Sequence, residues 1–274
     1  MALKGNLLFN GDFETGTTEG WQTSPYGEGC AFDFSASEEA KYRGSYGGLL
    51  TAQHLASLGY VAYNKICAFE EYEAYLFILY TKITGEFYSS GVLYGLDDKG
   101  NLIDHLYVGY NTEVGEWKRI VALLRGFGDI THFKVGLATQ ILDEGSKVYF
   151  DEAKLIPLRS IKGHELAEFR YMTNVTGSKG VYSGLSCIGR CKLRSIIKTE
   201  NVSGTSPTLD VYLNIMLFGD NVSHYTLTHS QFTGEDFEEV TIDLPEASYI
   251  YINYGVGGTD PSFDIRHHLR IEPY

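Results

Sequence analysis

The sequence has 274 residues, a formal net charge of −13 at pH 7 and 43% hydrophobic residues. Phosphate backbones and anionic lipid surfaces repel so acidic a chain, which argues against nucleic acid and membrane surfaces as partners. No apolar run approaches the ~20 residues of a membrane span, and the N-terminus lacks the apolar core of a signal peptide. We expect no membrane insertion. An extracellular or virion-associated location is favoured if a leader is missing or release is by lysis.

The length fits two domains, because single domains usually have about 100–200 residues. Tyrosine is frequent, with 21 Tyr and 15 Phe against 2 Trp. Aromatic residues favour strands, and the 31 Gly are suited to many tight turns. The composition therefore favours an all-β chain.

The first half contains alternating apolar runs rather than amphipathic helices. In 75–83, one face carries Phe77 and Leu79, and the other carries Tyr80 and Lys82; both faces are mostly apolar, so we expect a central strand. Further strands are predicted at 92–96, 102–108, 117–124, 133–137 and 147–150. Short strands at this spacing are typical of a sandwich or barrel.

The second half continues the pattern, with strands predicted at 208–217, 237–244, 249–254 and 263–271. Alternation in the last strand places His267 on the core face, and Arg266, His268 and Arg270 outside. A domain boundary is expected near Pro157-Leu-Arg-Ser-Ile-Lys-Gly163, just after a predicted strand. The sequence thus predicts an all-β chain of two tandem β-sandwich, jelly-roll-like domains, 1–158 and 159–274.

Several segments of the first domain, in order, resemble the family 4/9-type carbohydrate-binding modules. They are Asn6-Leu-Leu-Phe-Asn-Gly-Asp-Phe-Glu-Thr-Gly16 with Gly20-Trp21, Tyr42-Arg-Gly-Ser-Tyr-Gly-Gly-Leu49, Glu73-Ala-Tyr-Leu-Phe-Ile-Leu-Tyr80, Gly115-Glu-Trp117, and Val148-Tyr-Phe-Asp-Glu-Ala-Lys-Leu155. The resemblance covers about residues 5 to 158 and implies a β-jelly-roll. The second domain is not recognised.

The resemblance also implies a structural calcium ion near the paired termini. Its ligands would be Glu14 and Asp151, with a backbone carbonyl near Gly44 or Ser45, and Asp12 and Glu152 as adjacent alternates. Calcium takes six to eight hard oxygen ligands, so the chemistry is consistent. The alternative is that Glu14 and Asp151 hydrogen-bond to turn amides.

Glycan binding is the function that the resemblance and the tyrosine content favour. Sugar rings stack on aromatic side chains, and their hydroxyls pair with polar groups. We interpret Trp21 and Trp117 as core residues. The candidate ligand-binding residues are Tyr80, Lys82, Tyr63, Tyr94, Tyr107, Tyr110, Phe34, Gln53 and Asn64.

No nucleophile elbow, phosphate-binding loop or metalloprotease helix occurs, and no partner pattern distinguishes His164, His224 or His229 from surface histidines. Cys30, Cys67, Cys187 and Cys191 fit either buried thiols or disulfides. We predict a non-catalytic glycan-binding protein. The alternative is a structural or attachment protein of a virion or cell surface, with protein partners or homo-oligomers; a monomer without partners would count against it.

Overall fold

The computed structural model describes residues 5–23, 31–53, 57–63, 65–69, 72–126, 129–141, 144–161, 164–217, 223–247 and 249–274, with only the backbone described at 57–60 and 141. These ranges contain β-strands and one 3-10 turn, Glu38–Ala40. None of their helical residues forms a segment long and apolar enough to cross a bilayer. The chain is all-β and divides into two compact units, Met1–Ile161 and Lys162–Tyr274. The first unit ends three residues after the predicted division at 158/159.

The first unit consists of two antiparallel sheets. Sheet A has the strand order β1-β4-β10-β7-β8, with β5 beside β10, and sheet B has the order β9-β6-β11-β3-β2. The strands are β1 Trp21–Thr23, β2 Phe32–Ser37, β3 Gly47–Ala52, β4 Ser57–Tyr63, β5 Cys67–Ala68, β6 Ala74–Ile83, β7 Tyr88–Leu96, β8 Leu102–Asn111, β9 Lys118–Leu124, β10 His132–Ile141 and β11 Lys147–Leu158.

The two sheets pack face to face, as the alternation in β6 predicts. Phe77 and Leu79 are fully buried, whereas Tyr80 and Lys82 lie partly exposed on the other face of sheet B. β6 pairs with β9 on one side and β11 on the other, so the predicted central strand is confirmed. The Tyr75 ring crosses to sheet A and meets Phe133 at 4.9 Å between ring centroids. One face of each sheet is therefore occupied by the core.

The second unit is built around two long strands, β15 and β18, that pair along their lengths. The first part of β15 also pairs with β17, and its second part with β16. The second part of β18 pairs with β12, and its first part with β13. The strands are β12 Leu166–Val175, β13 Lys179–Tyr182, β14 Leu185–Cys187, β15 Cys191–Met216, β16 Ser223–Thr228, β17 Asp236–Leu244 and β18 Tyr249–Pro273.

Bulges in the middle of β15 and β18 divide this unit into two layers. The pairing register shifts three times between Glu200 and Thr208. Gly204 and Gly258 there have φ values of 108° and 107°, which only glycine adopts readily. Layer 1 contains β12, the second part of β18, the first part of β15 and β17. Layer 2 contains β13, the first part of β18, the second part of β15 and β16. The predicted second sandwich is present, but its predicted strands at 208–217 and 263–271 are parts of these long strands.

Three cysteines of the described ranges lie in the interior of the units. Cys67, Cys187 and Cys191 are buried, and the Cys187 thiol donates to the Gly189 carbonyl at 3.7 Å. Cys30 lies outside the described residues.

Replacing Gly91 by alanine should destabilise the first unit. An added Cβ would lie 2.5 Å from Phe77 Cε1 and 2.9 Å from Val108 Cγ2, so the two sheets would have to separate locally. Overpacking of this kind costs about 1–3 kcal/mol. Urea denaturation followed by tryptophan fluorescence measures this, because both tryptophans lie in the first unit. Equal stability of Gly91→Ala and wild type would contradict the packing described.

Candidate functional site

The outer side of sheet A carries a group of aromatic side chains. In β7, Gly91 and Leu93 point into the core, so Tyr88 and Tyr94 point outward. Tyr94 lies opposite His105 of β8, and Val92 lies opposite Tyr107. Alternation and strand register together therefore bring residues of neighbouring strands to one surface.

Ring contacts join four aromatic side chains of this surface into one cluster. Tyr88 lies 5.1 Å from Tyr110 and 6.2 Å from Tyr107 between ring centroids, and the Tyr107 ring lies 5.6 Å from that of His105. We call Tyr88, Tyr94, Tyr107, Tyr110 and His105 the first tyrosine face. All five side chains are partly exposed.

Beneath this face lie apolar residues and two buried hydroxyl groups. Val92 and Ala138 are fully buried, and Tyr94 and Tyr107 pack against them. Within the described chain, Ser90 Oγ and the Tyr94 hydroxyl are buried without a hydrogen-bond partner. Burial raises the pKa of Tyr94, so its hydroxyl remains protonated. Buried unpartnered polar groups are costly, which makes these two atoms notable.

The structure brings three of the predicted ligand-binding residues together and separates the others. Tyr94, Tyr107 and Tyr110 share the first tyrosine face. Tyr80 and Lys82 lie on the outer side of sheet B, where Tyr80 stacks on Tyr42 at 4.2 Å between ring centroids. Sequence alternation assigns the face of a strand but not which sheet the strand joins.

Of the other predicted ligand-binding residues, Tyr63 is buried and Phe34 is partly exposed. Tyr63 is 5% exposed and accepts the Phe9 N–H at 2.7 Å, and Phe34 packs edge-on against the buried Phe13 ring. Gln53 is exposed at the end of β3 and donates to Asp33 Oδ2 at 2.6 Å. Asn64 lies outside the described residues.

The two tryptophans differ in position. Trp21 is buried as expected. The interpretation of Trp117 as a core residue is wrong, because it is partly exposed and its ring lies 5.4 Å from that of Tyr42. It precedes β9, before the inward positions of that strand begin.

Two carboxylates hold the loop that leads into β3. Asp151 Oδ2 accepts the N–H groups of Tyr42 and Arg43 at 2.7 and 2.9 Å. Glu14 Oε1 accepts those of Ser45 and Tyr46 at 2.7 and 3.0 Å. These are the turn-amide hydrogen bonds of the alternative interpretation, and they attach the loop to both the opening segment and β11.

The two carboxylates have different environments. The pKa of Glu14 is lowered, mainly by the hydrogen bond that its carboxylate accepts from the Tyr46 N–H. Burial raises the pKa of Asp151 to about 6, and no cationic side chain within the described chain pairs with it. The described ranges contain no group of three or more His, Cys, Asp and Glu side chains that could hold a metal. A cation at this loop would therefore need backbone carbonyls as additional ligands.

The core of the second unit contains a chain of buried polar side chains. Ser195 Oγ lies 2.8 Å from Nε2 of both His229 and His267. His267 Nδ1 lies 2.6 Å from the Tyr254 hydroxyl, and His229 Nδ1 lies 3.0 Å from Glu238 Oε2. The expected core position of His267 is confirmed, whereas the interpretation of His229 as a surface histidine is wrong, since it is 4% exposed.

One arrangement of protons satisfies every contact in this chain. Burial opposes ionisation of Glu238, but hydrogen bonds from Ser230 and His229 lower its pKa, so it accepts. His229 then donates from Nδ1 and accepts the Ser195 hydroxyl at Nε2. Ser195 accepts from His267 Nε2, whose Nδ1 accepts the Tyr254 hydroxyl. Both imidazoles are neutral in this arrangement.

Ser195, His229 and Glu238 are the residue types of a hydrolase triad. Ser195 is fully buried, and a nucleophile must reach its substrate to react. The geometry therefore fits a structural network that links the two layers through Tyr254 and His267. Sequence separation hides it, because its members come from β15, β17, β18 and the segment after β16.

Tyr88 and His105 are the members of the first tyrosine face that the sequence analysis missed. The strand predicted at 92–96 begins at Tyr88 in the structure. Extending the alternation backwards from Tyr94 in steps of two would have reached Tyr88. His105 lies within a predicted strand but was not considered as a ligand-binding residue.

No protein-family model matches the chain, and no curated protein matches it. Similar solved structures include the tandem CBM22-1–CBM22-2 domains of Xyn10C from Paenibacillus barcinonensis, with 12% identity, coverage of 99% of both chains and a TM-score of 0.44. TmCBM61 in complex with β-1,4-galactotriose has 16% identity over 56% of this chain and 98% of its own, with a TM-score of 0.40. Family 16 Carbohydrate Binding Module-2 has 21% identity over 55% and 99%, with a TM-score of 0.37. These likenesses do not decide what this chain binds.

The free energy of unfolding of the second unit should fall as the pH is lowered from 7.5 to 5.5. Burial lowers the pKa of His229, and burial together with His229, Arg170 and His268 lowers that of His267. Below the ordinary value of 6.5 the unfolded chain takes up protons that the folded unit does not. Each histidine then removes up to about 1.4 kcal/mol per pH unit.

Hydrogen exchange of the β15 amides measures this, because both tryptophans lie in the first unit. His229→Gln should reduce the pH slope, because one of the two buried imidazoles is removed. A stability of the second unit that does not change over this range would show that the buried histidines are not held neutral.

Proposed function

We propose that the first unit binds a glycan through the first tyrosine face. The observation that carries the proposal is the contact cluster of Tyr88, Tyr107 and Tyr110 on the outward side of a sheet whose other side is the core. Aromatic rings offer stacking surfaces for the C–H faces of sugar rings. Catalysis is not part of this proposal.

Polar groups around the rings suit the hydroxyls of a sugar. By register, Lys134 lies opposite Tyr94, and Gln140 lies opposite Tyr88, both on β10. His105 borders Tyr107. Amide, ammonium and imidazole groups can together donate to and accept from sugar hydroxyls. The buried hydroxyls of Ser90 and Tyr94 are further donors at the base of the face.

The structural or attachment role, with protein partners or homo-oligomers, stays a prediction. Phe169 and Phe237 are 62% and 60% exposed on the outer side of layer 1, and such side chains are common in protein interfaces. The glycan proposal is preferred because the first tyrosine face combines rings with hydrogen-bonding groups.

Tyr107→Ala should weaken glycan binding by at least about tenfold, or ~1.4 kcal/mol, because the central ring of the cluster is lost. Tyr107→Phe retains the ring and should bind within a few-fold of wild type. The measurement is a glycan array followed by calorimetric titration of the strongest ligand. Tyr149→Ala is the matched control, since Tyr149 lies on the outer side of sheet B. An unchanged affinity in Tyr107→Ala, or no bound glycan in wild type, would refute the proposal.

We further propose that a calcium ion binds at the loop between Glu14 and Asp151. The support is a buried carboxylate, Asp151, that no described cationic side chain neutralises, and a second carboxylate, Glu14, that binds the amides of the same loop. Backbone carbonyls near Gly44 and Ser45 would complete a set of hard oxygens. Such an ion would attach the opening segment to β11 and has a structural role only.

Calcium at 100 times its dissociation constant should stabilise the first unit by about 2.7 kcal/mol, which raises its unfolding midpoint by several degrees. Thermal unfolding by tryptophan fluorescence, with calcium and then with chelator, measures the difference. Glu14→Ala and Asp151→Ala lower stability in any case because they release the loop amides. The decisive quantity is therefore the calcium-dependent shift, which should vanish in both variants and persist in Glu19→Ala. Absence of a shift in wild type would exclude the ion.

A further inference from the structure

The outer side of layer 2 in the second unit carries another set of tyrosines. In β18, Ile250, Ile252 and Tyr254 are buried, so Tyr249 and Tyr251 point outward. In β15, Val211, Leu213 and Ile215 are buried, so Tyr212 and Asn214 point outward. The two long strands thus present a second continuous surface.

Strand register places these outward residues side by side. Tyr251 lies opposite Asn214 of β15 and Tyr182 of β13. Asn253 lies opposite Tyr212. We call Tyr182, Tyr212, Tyr249, Tyr251, Asn214 and Asn253 the second tyrosine face.

The ring of Tyr251 lies across the neighbouring strand. A Cβ added to Gly180 would lie 1.8 Å from the Tyr251 hydroxyl, so the ring occupies the space that a side chain at 180 would fill. The Tyr182 ring lies 4.7 Å from that of Tyr251, at 51°, and 5.7 Å from that of Tyr249. The glycine therefore allows an aromatic platform to form over β13.

Uncharged hydrogen-bonding groups surround this platform. Thr226 Oγ1 donates to Asn214 Oδ1 at 3.3 Å. The Asn253 Nδ2 atom is buried and has no partner within the described chain. By register, the outward positions of these described strands include one charged side chain, Asp210, which accepts from Gln231 at 3.0 Å. Amides, hydroxyls and rings without cations suit a ligand that carries hydroxyls but no charge.

The opposite layer of the same unit shows a different chemistry. Arg194 pairs with Glu239 at 2.9 Å and with Glu272 at 3.1 Å, and Arg266 pairs with Glu200 at 2.8 Å. The difference within one domain indicates that the second tyrosine face is suited to a particular ligand.

We propose that the second tyrosine face is a binding site for a neutral oligosaccharide. Tyr251 and Tyr182 supply the stacking surface, and Asn214 and Asn253 pair with sugar hydroxyls. The site lies on a different unit from the first tyrosine face, so it extends the proposed function without depending on it. A protein partner for this face is the competing outcome of the test.

The test uses the full chain on an array of neutral oligosaccharides, with cellohexaose, xylohexaose, maltohexaose and β-1,4-galactotriose then titrated by calorimetry. Tyr251→Ala should weaken binding at this site at least tenfold. Tyr251→Phe keeps the ring and should remain within about threefold of wild type. Gly180→Ala should also weaken binding, because its Cβ displaces the Tyr251 ring without altering the core. Circular dichroism checks that each variant is folded.

Tyr171→Ala is the matched control, since Tyr171 is 51% exposed on the outer side of layer 1. Tyr107→Ala separates this proposal from that for the first unit. Binding that survives Tyr107→Ala and is lost in Tyr251→Ala supports the second site even if the first fails. Binding that Tyr251→Ala leaves unchanged, or that Tyr171→Ala weakens equally, overturns it. The proposal is also overturned if the wild-type chain binds no neutral glycan, or if this face binds only a protein partner.

Discussion

The contact between Phe77 of β6 and Gly91 of β7 shows the constraint on which the rest of the first unit depends. The sheets approach so closely that a ring on one strand requires a residue without a side chain on the other. The inward positions of β6 and β7 are occupied by this packing, so side chains directed at a ligand lie at the alternate, outward positions. The period of two that buries Leu93 also places Tyr94 on the opposite side of the sheet.

The same constraint holds in the second unit, where polar residues join the packing. The chain from Tyr254 through His267, Ser195 and His229 to Glu238 is satisfied at every contact with neutral imidazoles. A fully satisfied buried network specifies one arrangement of the layers, because a shifted register would leave several polar groups unpaired. This explains why residue types common in active sites lie here without access to solvent.

Much of the fold could be predicted because alternation is a local property. The central position of β6, the outward side of Tyr80 and Lys82, and the core position of His267 all follow from it. The sheet to which a strand belongs is a non-local property. Tyr80 and Tyr94 are both candidate ligand-binding residues by alternation, although they lie on different sheets. The first part of β15 was missed because Lys192, Arg194 and Lys198 make its outward side strongly charged, and this hides the apolar alternation of Cys191, Leu193 and Ile197.

Both tyrosine faces depend on small residues that lie beside or beneath the rings. Gly180 creates the space in which Tyr251 lies across β13. In the first tyrosine face, Val92 and Ala138 are small enough for Tyr94 and Tyr107 to pack down against them. Neither feature is visible from the tyrosines themselves, since it depends on which residue the strand register places beside each ring. A frequent residue type therefore identifies the surface, and its small neighbours determine whether the rings lie in a position to stack on a ligand.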